Sequence, residues 1–357
     1  MDGHAHSATS GLLADMSAPV ERILDLQGSD GAIPWFKDGP WDPWNHVESA
    51  MALTVMGAYD AANAAFDYLV DSQRPDGAWL GEYGNALPMV DRDFISRKKA
   101  PSVLDTNFCA YPAVGIAHLL LSTGDLDQAR ERWPMVRDAI SFVVSLQRPD
   151  GTIPWAFEAV GTDEDDALLA GNASIAKSLE CAIFLAQELG EAADRWITAR
   201  GCLIQALRHT PHAFDHRGSG ARFAMDWYYP VLSGAMERST ALSRLERKWD
   251  IFVTDQGCRC VADEPWITVA ETSELVLALL AVDQHKSAER MFQSLMPRRD
   301  DHGVFWMGWQ TKEQIIWPRE QPSWTQAAVI LAADALASRT PASRLLTHSL
   351  LSAAQKS

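Results

Sequence analysis

The chain has 357 residues, 47% of them hydrophobic and 22% charged, an ordinary globular composition that allows one large domain or two. Its net charge of −16 argues against nucleic acid and against anionic membrane surfaces, both of which select for Lys and Arg. No run of about 18 apolar residues suggests a membrane span, and the first residues lack the basic-then-apolar layout of a signal peptide.

Residues 1–16 read as a polar, small-residue tail. From there two kinds of helix alternate. Amphipathic segments, with apolar residues at i, i+3 and i+4, are expected near 18–27, 60–73, 127–147, 192–208, 237–253 and 285–297. Nearly all-apolar segments rich in small residues are expected near 44–57, 106–122, 172–189, 225–236, 268–282 and 322–338. A helix apolar on every side is enclosed by other helices. A further helix near 342–354 closes the chain. Strand signals are sparse, Ile251-Phe-Val253 being the best. Six hairpins of one half-buried and one buried helix describe an all-α closed double ring, an (α/α)6 toroid, in one domain over 17–357. The longest loop, Leu80 to Val103, is of a length uncommon unless functional or mobile.

A repeated phrase ends three of the amphipathic helices: Gln27-Gly-Ser-Asp-Gly31-Ala-Ile-Pro-Trp35, Gln73-Arg-Pro-Asp-Gly77-Ala-Trp79 and Gln147-Arg-Pro-Asp-Gly151-Thr-Ile-Pro-Trp155. Asp-Gly makes the turn, Gln offers donor and acceptor, and Trp brings a large apolar face. Degenerate copies run from Phe252 to Trp266 and from Phe292 to Trp306. Eleven of the 14 tryptophans fall in or beside outer-to-inner connections, which in a toroid lie at one mouth. That distribution suggests an aromatic-lined cavity at one end, or a mouth packed by loop aromatics.

The five cysteines are odd in number and fit a reducing, cytoplasmic compartment. Cys258-Arg-Cys260 is the only close pair and a candidate metal or redox element. Otherwise no metal or cofactor is expected, and neither a phosphate-cradling loop nor a Ser/His/Asp signature is present.

The Phe66-to-Trp79 segment matches the "QW" motif, so the chain resembles the terpenoid cyclase/protein prenyltransferase toroid superfamily. In those proteins the motif is largely structural, the Gln capping a neighbouring helix. Asp163-Glu164-Asp165-Asp166 resembles the D-x-D-D acid motif of class II terpene cyclases. The resemblance implies Asp165 as proton donor to an isoprenoid, with Asp163 and Asp166 orienting it; independently of either resemblance, the candidates for lining the substrate cavity are Trp35, Trp44, His46, Trp155, Phe157, Asp226, Trp227, Tyr228, Trp306, Trp309 and Trp324. Crowded carboxyls cannot all ionise, which keeps one protonated; an acidic run before a helix is also commonly a solvated loop or a charge cap. The zinc-dependent prenyltransferases of the superfamily need Asp-x-Cys, and Asp255-Gln-Gly-Cys258 has a different spacing.

A second resemblance, carried by Ser122-Thr-Gly-Asp125 and Trp133-Pro-Met-Val-Arg-Asp-Ala, is to (α/α)6 glycoside hydrolases. It implies a pair of carboxyls across a sugar; Glu158 and Glu320 lie on loops entering inner helices, with Asp42 and Asp226 as further candidates. The expectation is therefore an enzyme for a small molecule, isoprenoid first and carbohydrate as the alternative, with a non-catalytic binding toroid as a third possibility.

Overall fold

A computed structural model describes residues 15–84, 103–157, 166–216 and 222–351. In chain order the helices are α1 (Ser17–Leu26), α2 (Pro43–Val55), α3 (Tyr59–Ser72), α4 (Thr106–Ala110), α5 (Pro112–Thr123), α6 (Leu126–Ser145), α7 (Leu169–Leu189), α8 (Asp194–His209), α9 (Ala224–Leu232), α10 (Arg238–Arg247), α11 (Trp249–Phe252), α12 (Val269–Ala281), α13 (His285–Leu295) and α14 (Ser323–Ala337). The inner ring runs α2, α5, α7, α9, α12, α14, each helix packed on the next, and α14 returns to α2 and to the outer helix α1. The (α/α)6 toroid expected from the sequence is the fold.

The inner helices are buried along nearly their whole length because Ala, Ser and Gly let six backbones crowd around one axis. Among the described residues, α7 alone is long and apolar enough to cross a membrane, but most of it is enclosed by its neighbours.

The three Gln-to-Trp phrases weld the outer ring. Gln27, Gln73 and Gln147 each donate from Nε2 to the carbonyl of their own turn glycine and to a carbonyl of the next outer helix, Ala61, Met135 and Ala199 respectively, at 2.8–3.2 Å. The turn glycine is required twice over. Gly77 and Gly151 have φ of +86° and +90°, and a Cβ on either would lie 2.5 Å from a carbonyl oxygen of that same outer helix.

A second set of bonds ties these turns inward. The residue two after the glycine is clasped at its backbone by one inner-helix side chain. Asn172 accepts from Ile153 N–H and donates to its carbonyl, both at 2.9 Å. Gln326 holds Phe305 in the same way. His46 accepts from Ile33 N–H and its other ring nitrogen meets Ala65 O at 2.8 Å, while Cys109 Sγ takes this place against Trp79. In the degenerate fourth copy the bond falls one residue earlier, Thr272 accepting from the N–H of Cys258 directly after Gly257.

Several boundaries differ from the sequence reading. The expected helix 106–122 is two, α4 and α5, because Pro112 has no N–H to continue the ladder. The segment 237–253 is likewise α10 and α11, and Ile251 and Phe252 are helical, with β3 beginning at Val253. No helix forms over the described part of 342–354. Residues 341–347 make successive turns, and the backbone beyond them bonds to a buried ion cluster instead: Lys177 Nζ donates to His348 O and Leu350 N–H donates to Glu180 Oε1. Glu180 also holds Arg200 at 2.6 Å and Lys177 at 2.8 Å. This cluster pins residues 348–350 against α7, with Leu345 and Leu351 buried. The strands are short: β1 (Leu104–Asp105) with β2 (Ala156–Phe157), β3 (Val253–Thr254) with β4 (Gly257–Cys258), and β5 (Trp266–Thr268), β6 (Gly308–Gln310) and β7 (Ile315–Ile316). They stitch the mouth loops.

Candidate active site

Every outer-to-inner connection delivers its inner helix N-terminus to the same mouth, and carboxyl groups recur there. Asp42 is the N-cap of α2, Asp105 the N-cap of α4, Asp226 lies in the first turn of α9 and Glu271 in the first turn of α12. A carboxylate at a helix start accepts orphan N–H groups and meets the positive end of the dipole.

These carboxyls differ in what is left over. Asp42 is wholly buried and engaged on both oxygens: Oδ1 accepts from Asn45 N–H, and Oδ2 from Trp35 Nε1 at 2.6 Å and Asn45 Nδ2 at 2.5 Å. Burial still pushes its pKa up to about 6. Asp105 uses Oδ1 alone for the Asn107 and Phe108 N–H groups. Asp226 uses Oδ1 for Ala170 N–H.

Asp105 and Asp226 line one cavity of about 380 Å³, walled by Trp44, Phe108, Trp155 and Phe223. Loss of water pushes both carboxyls up to about 7. Their charged surroundings differ. Asp42 adds a like charge near Asp105. Asp215 does so near Asp226, where Lys248 and Arg244 pull the other way. Asn107, 5% exposed, lines the same cavity, and its Oδ1 has no hydrogen-bond partner among the described residues.

The loop carrying Trp155 is built from both directions. Asp105 pairs with Ala156 and Leu104 with Phe157 in the β1–β2 ladder. Thr106 N–H donates to Trp155 O, and Trp155 N–H donates to Asp166 O, at 3.0 Å each.

Below the cavity lies a layer of buried acids and phenols. Glu48 Oε1 accepts from Trp44 Nε1 at 2.7 Å and from Tyr111 Oη at 3.0 Å. Glu274 accepts from Tyr229 Oη at 2.5 Å and from Tyr228 Oη. Burial raises Glu48 to about 7, with the Asp42 charge adding to it, and Glu274 to about 8, with the Glu48 charge adding to it. With Tyr111, Tyr229, Ser174 and Lys177 they line a second chamber of about 30 Å³, room for about one water.

The residues singled out in the sequence are dispersed around this site. Asp226, Trp44 and Trp155 line the cavity, and Tyr228 lies in the layer beneath it. Trp227 is packed away from the cavity, stacked on Phe252 and donating to Arg244 O. His46 is spent on its clasp. Trp35 packs edge-on against Trp324, Trp309 lies under Arg298 and Trp306 under Arg319, and Phe157, 37% exposed, packs on Phe142. Glu320 sits in the connection before α14, its backbone carbonyl accepting from Met307 N–H. Asp166 is buried and accepts from His216 N–H. Glu158, Asp163 and Asp165 lie outside the described residues, as does most of the long loop after Leu80. Asp105, Asn107, Phe108 and Phe223 were not marked by the sequence reading. The Asp-Thr-Asn opening of an apolar helix is the signal that points to the first two, since Asp is a strong N-cap.

No family model matches the chain. It is 45% identical over 323 residues, 90% of this chain and 86% of the other, to "MMP endo-(1,4)-3-O-methyl-alpha-D-mannosidase" of Mycolicibacterium hassiacum. Among solved structures it resembles the GH63 mannosylglycerate hydrolase of Thermus thermophilus in complex with Tris and D-glycerate, with 13% identity, a TM-score of 0.67, and coverage of 88% of this chain and 99% of that one. It also resembles a glycosidase variant in complex with glucose, at 14% identity and a TM-score of 0.68, covering 94% and 99%. At such identities these two structures speak for the fold alone.

The mannosidase relative overturns the first functional expectation. Terpene cyclase, prenyltransferase, isomerase and lyase chemistry on an isoprenoid is not supported, because the relative at 45% identity is a glycosidase. The QW-like phrase misled because its bonds hold one outer helix to the next and involve no substrate chemistry. The second resemblance, to (α/α)6 glycoside hydrolases, is the one that holds.

Proposed function

The chain belongs to the family of the endo-(1,4)-3-O-methyl-α-D-mannosidase, and from that premise we propose that it hydrolyses α-(1,4)-linked mannosides carrying 3-O-methyl groups, at the cavity lined by Asp105 and Asp226. The observation that carries the activity is the 45% identity across nine-tenths of the chain. The walls support the substrate class. Trp44, Trp155, Phe108 and Phe223 offer faces to the C–H side of a pyranose and to O-methyl groups, which an apolar surface accepts without stranding a polar atom.

Hydrolysis needs a proton for the leaving oxygen and a base for the attacking water. We assign the acid to Asp105. Its Oδ1 is bound to two backbone N–H groups, its Oδ2 is left for the substrate, and burial together with the Asp42 charge favours the protonated form. Asp226 takes the part of base: burial and a neighbouring aspartate charge raise both carboxyls alike, but only Asp226 has cations, Lys248 and Arg244, among the groups that act on it. A pKa of about 7 on each carboxyl suits proton transfer near neutral pH. Asn107 supplies an uncommitted amide to a sugar hydroxyl. Five free thiols support a reducing, cytoplasmic setting.

The test is incubation with α-(1,4)-linked 3-O-methylmannose oligosaccharides, followed by mass analysis of the products. Shorter oligosaccharides with new reducing ends support the reading; an intact substrate overturns it.

A further inference from the structure

Trp44 forms part of the cavity wall, and its indole is held from behind. The Nε1–H donates to Glu48 Oε1 at 2.7 Å, and the ring packs against Phe108, Tyr111 and Tyr229 with centroids 5.3–5.7 Å away. Both bonds to Glu48 fall on one oxygen, one from Trp44 on its own helix and one from Tyr111 between α4 and α5, so a single carboxyl ties two inner helices under the cavity. On the other flank Glu274 of α12 collects Tyr228 and Tyr229 of α9, and Tyr229 is itself in ring contact with Trp44. Packing alone would be served by an apolar side chain, since taking a carboxyl out of water is unfavourable unless it is hydrogen-bonded. An acid kept at this place, with its acceptor aimed at the one polar atom of a cavity-lining indole, sets the angle of that ring.

We propose that Glu48 is a positioning residue that fixes the plane of the Trp44 indole, and through it the pose of the sugar ring stacked on Trp44. The identity of the ligand rests on the glycosidase reading above; the hold on Trp44 does not. Glu48 makes no contact with the reacting bond in this account. It acts through Trp44, so its loss weakens binding of the sugar more than it slows the chemical step. Gln keeps a carbonyl oxygen at the same reach and preserves the hold; Leu removes it.

The full-length protein is labelled with 5-fluorotryptophan, and the Trp44 resonance is assigned by its disappearance in Trp44→Phe. In the wild type and in Glu48→Gln this resonance is expected at one position with one narrow width. In Glu48→Leu it is expected to shift and broaden. With the 3-O-methylmannose oligosaccharide as probe, KM is expected to rise about 10-fold in Glu48→Leu while kcat stays within about 3-fold, and Glu48→Gln to restore KM. Thermal melting of each variant checks that it is folded. Should Glu48→Leu leave the Trp44 signal and KM unchanged, or should Glu48→Gln fail as badly as Leu, the proposal is overturned. If the wild type hydrolyses no mannoside, the glycosidase reading falls, and the fluorine spectra still decide the role of Glu48.

Discussion

Asp105 stands opposite Ala156 in the antiparallel β1–β2 ladder, so the carboxyl that caps α4 is held by the loop leaving the third Gln-to-Trp phrase. Scaffold and chemistry meet there. The repeat fixes the loop, the loop fixes Trp155 and the Asp105 backbone, and both residues line the cavity. Replacing either Asp105 or Asp226 with Asn keeps the shape and removes the titration. Each variant is expected to lose about 10²–10⁴-fold in kcat while remaining folded. Steady-state hydrolysis with circular dichroism as the fold control checks this, and a variant within threefold of wild type removes that residue from the chemistry.

The buried acids also predict how stability follows pH. Glu274 is raised to about 8 from an ordinary value of 4.5. Below 4.5 it is protonated whether the chain is folded or not. Between 4.5 and 8 the unfolded chain releases the proton and the folded chain keeps it, so this group's contribution is lost as pH rises through that window. His46, lowered to about 4 by burial, works oppositely, its contribution being lost as pH falls from 6.5 towards 4. Glu274→Gln has no proton to release. Its Tm relative to wild type should climb steadily between pH 4.5 and 8, and a difference independent of pH would contradict the raised acid.

Gln147 gives a test of the scaffold through stability. Its Nε2 holds Gly151 O and Ala199 O at 3.0 and 2.8 Å. Gln147→Leu leaves both carbonyls short of a donor and is expected to cost about 1–3 kcal/mol, read by denaturant unfolding.

Gly151→Ala should do more damage than its single carbon suggests. The residue sits at φ +90°, and a Cβ would lie 2.5 Å from Cys202 O on α8. Backbone strain alone is of order 1–3 kcal/mol, and the outer helix must also move. A drop in Tm exceeding that of Gln147→Leu is the expected result; a variant as stable as wild type would contradict the close approach.

Most of the fold was legible because toroids are periodic. Alternating all-apolar and amphipathic helices gave the ring, and Asp-Gly with Gln gave the turns, since those features act over a few residues of sequence. The inward clasps were not legible. His46, Cys109, Asn172, Thr272 and Gln326 do the same task with five different side chains, so no motif marks them. The site was only half visible. Asp226 and Trp44 were singled out, whereas Asp105 and Asn107 were passed over for a denser acidic run. Charge density along a chain does not report which carboxyl loses its water; that depends on the distant segments carrying Trp44, Asp105, Asn172 and Asp226 converging on one cavity. The repeat was also read for its likeness to cyclases, although its bonds serve the ring itself and are indifferent to the substrate.

The most direct test of the central claim is product analysis of a defined α-(1,4)-linked 3-O-methylmannose oligosaccharide treated with the wild-type protein and, in parallel, with folded Asp226→Asn. Internal cleavage to shorter oligosaccharides is expected with the wild type, and an intact substrate with the variant. An oligosaccharide left whole by the wild type, or cut equally by both proteins, would contradict the claim.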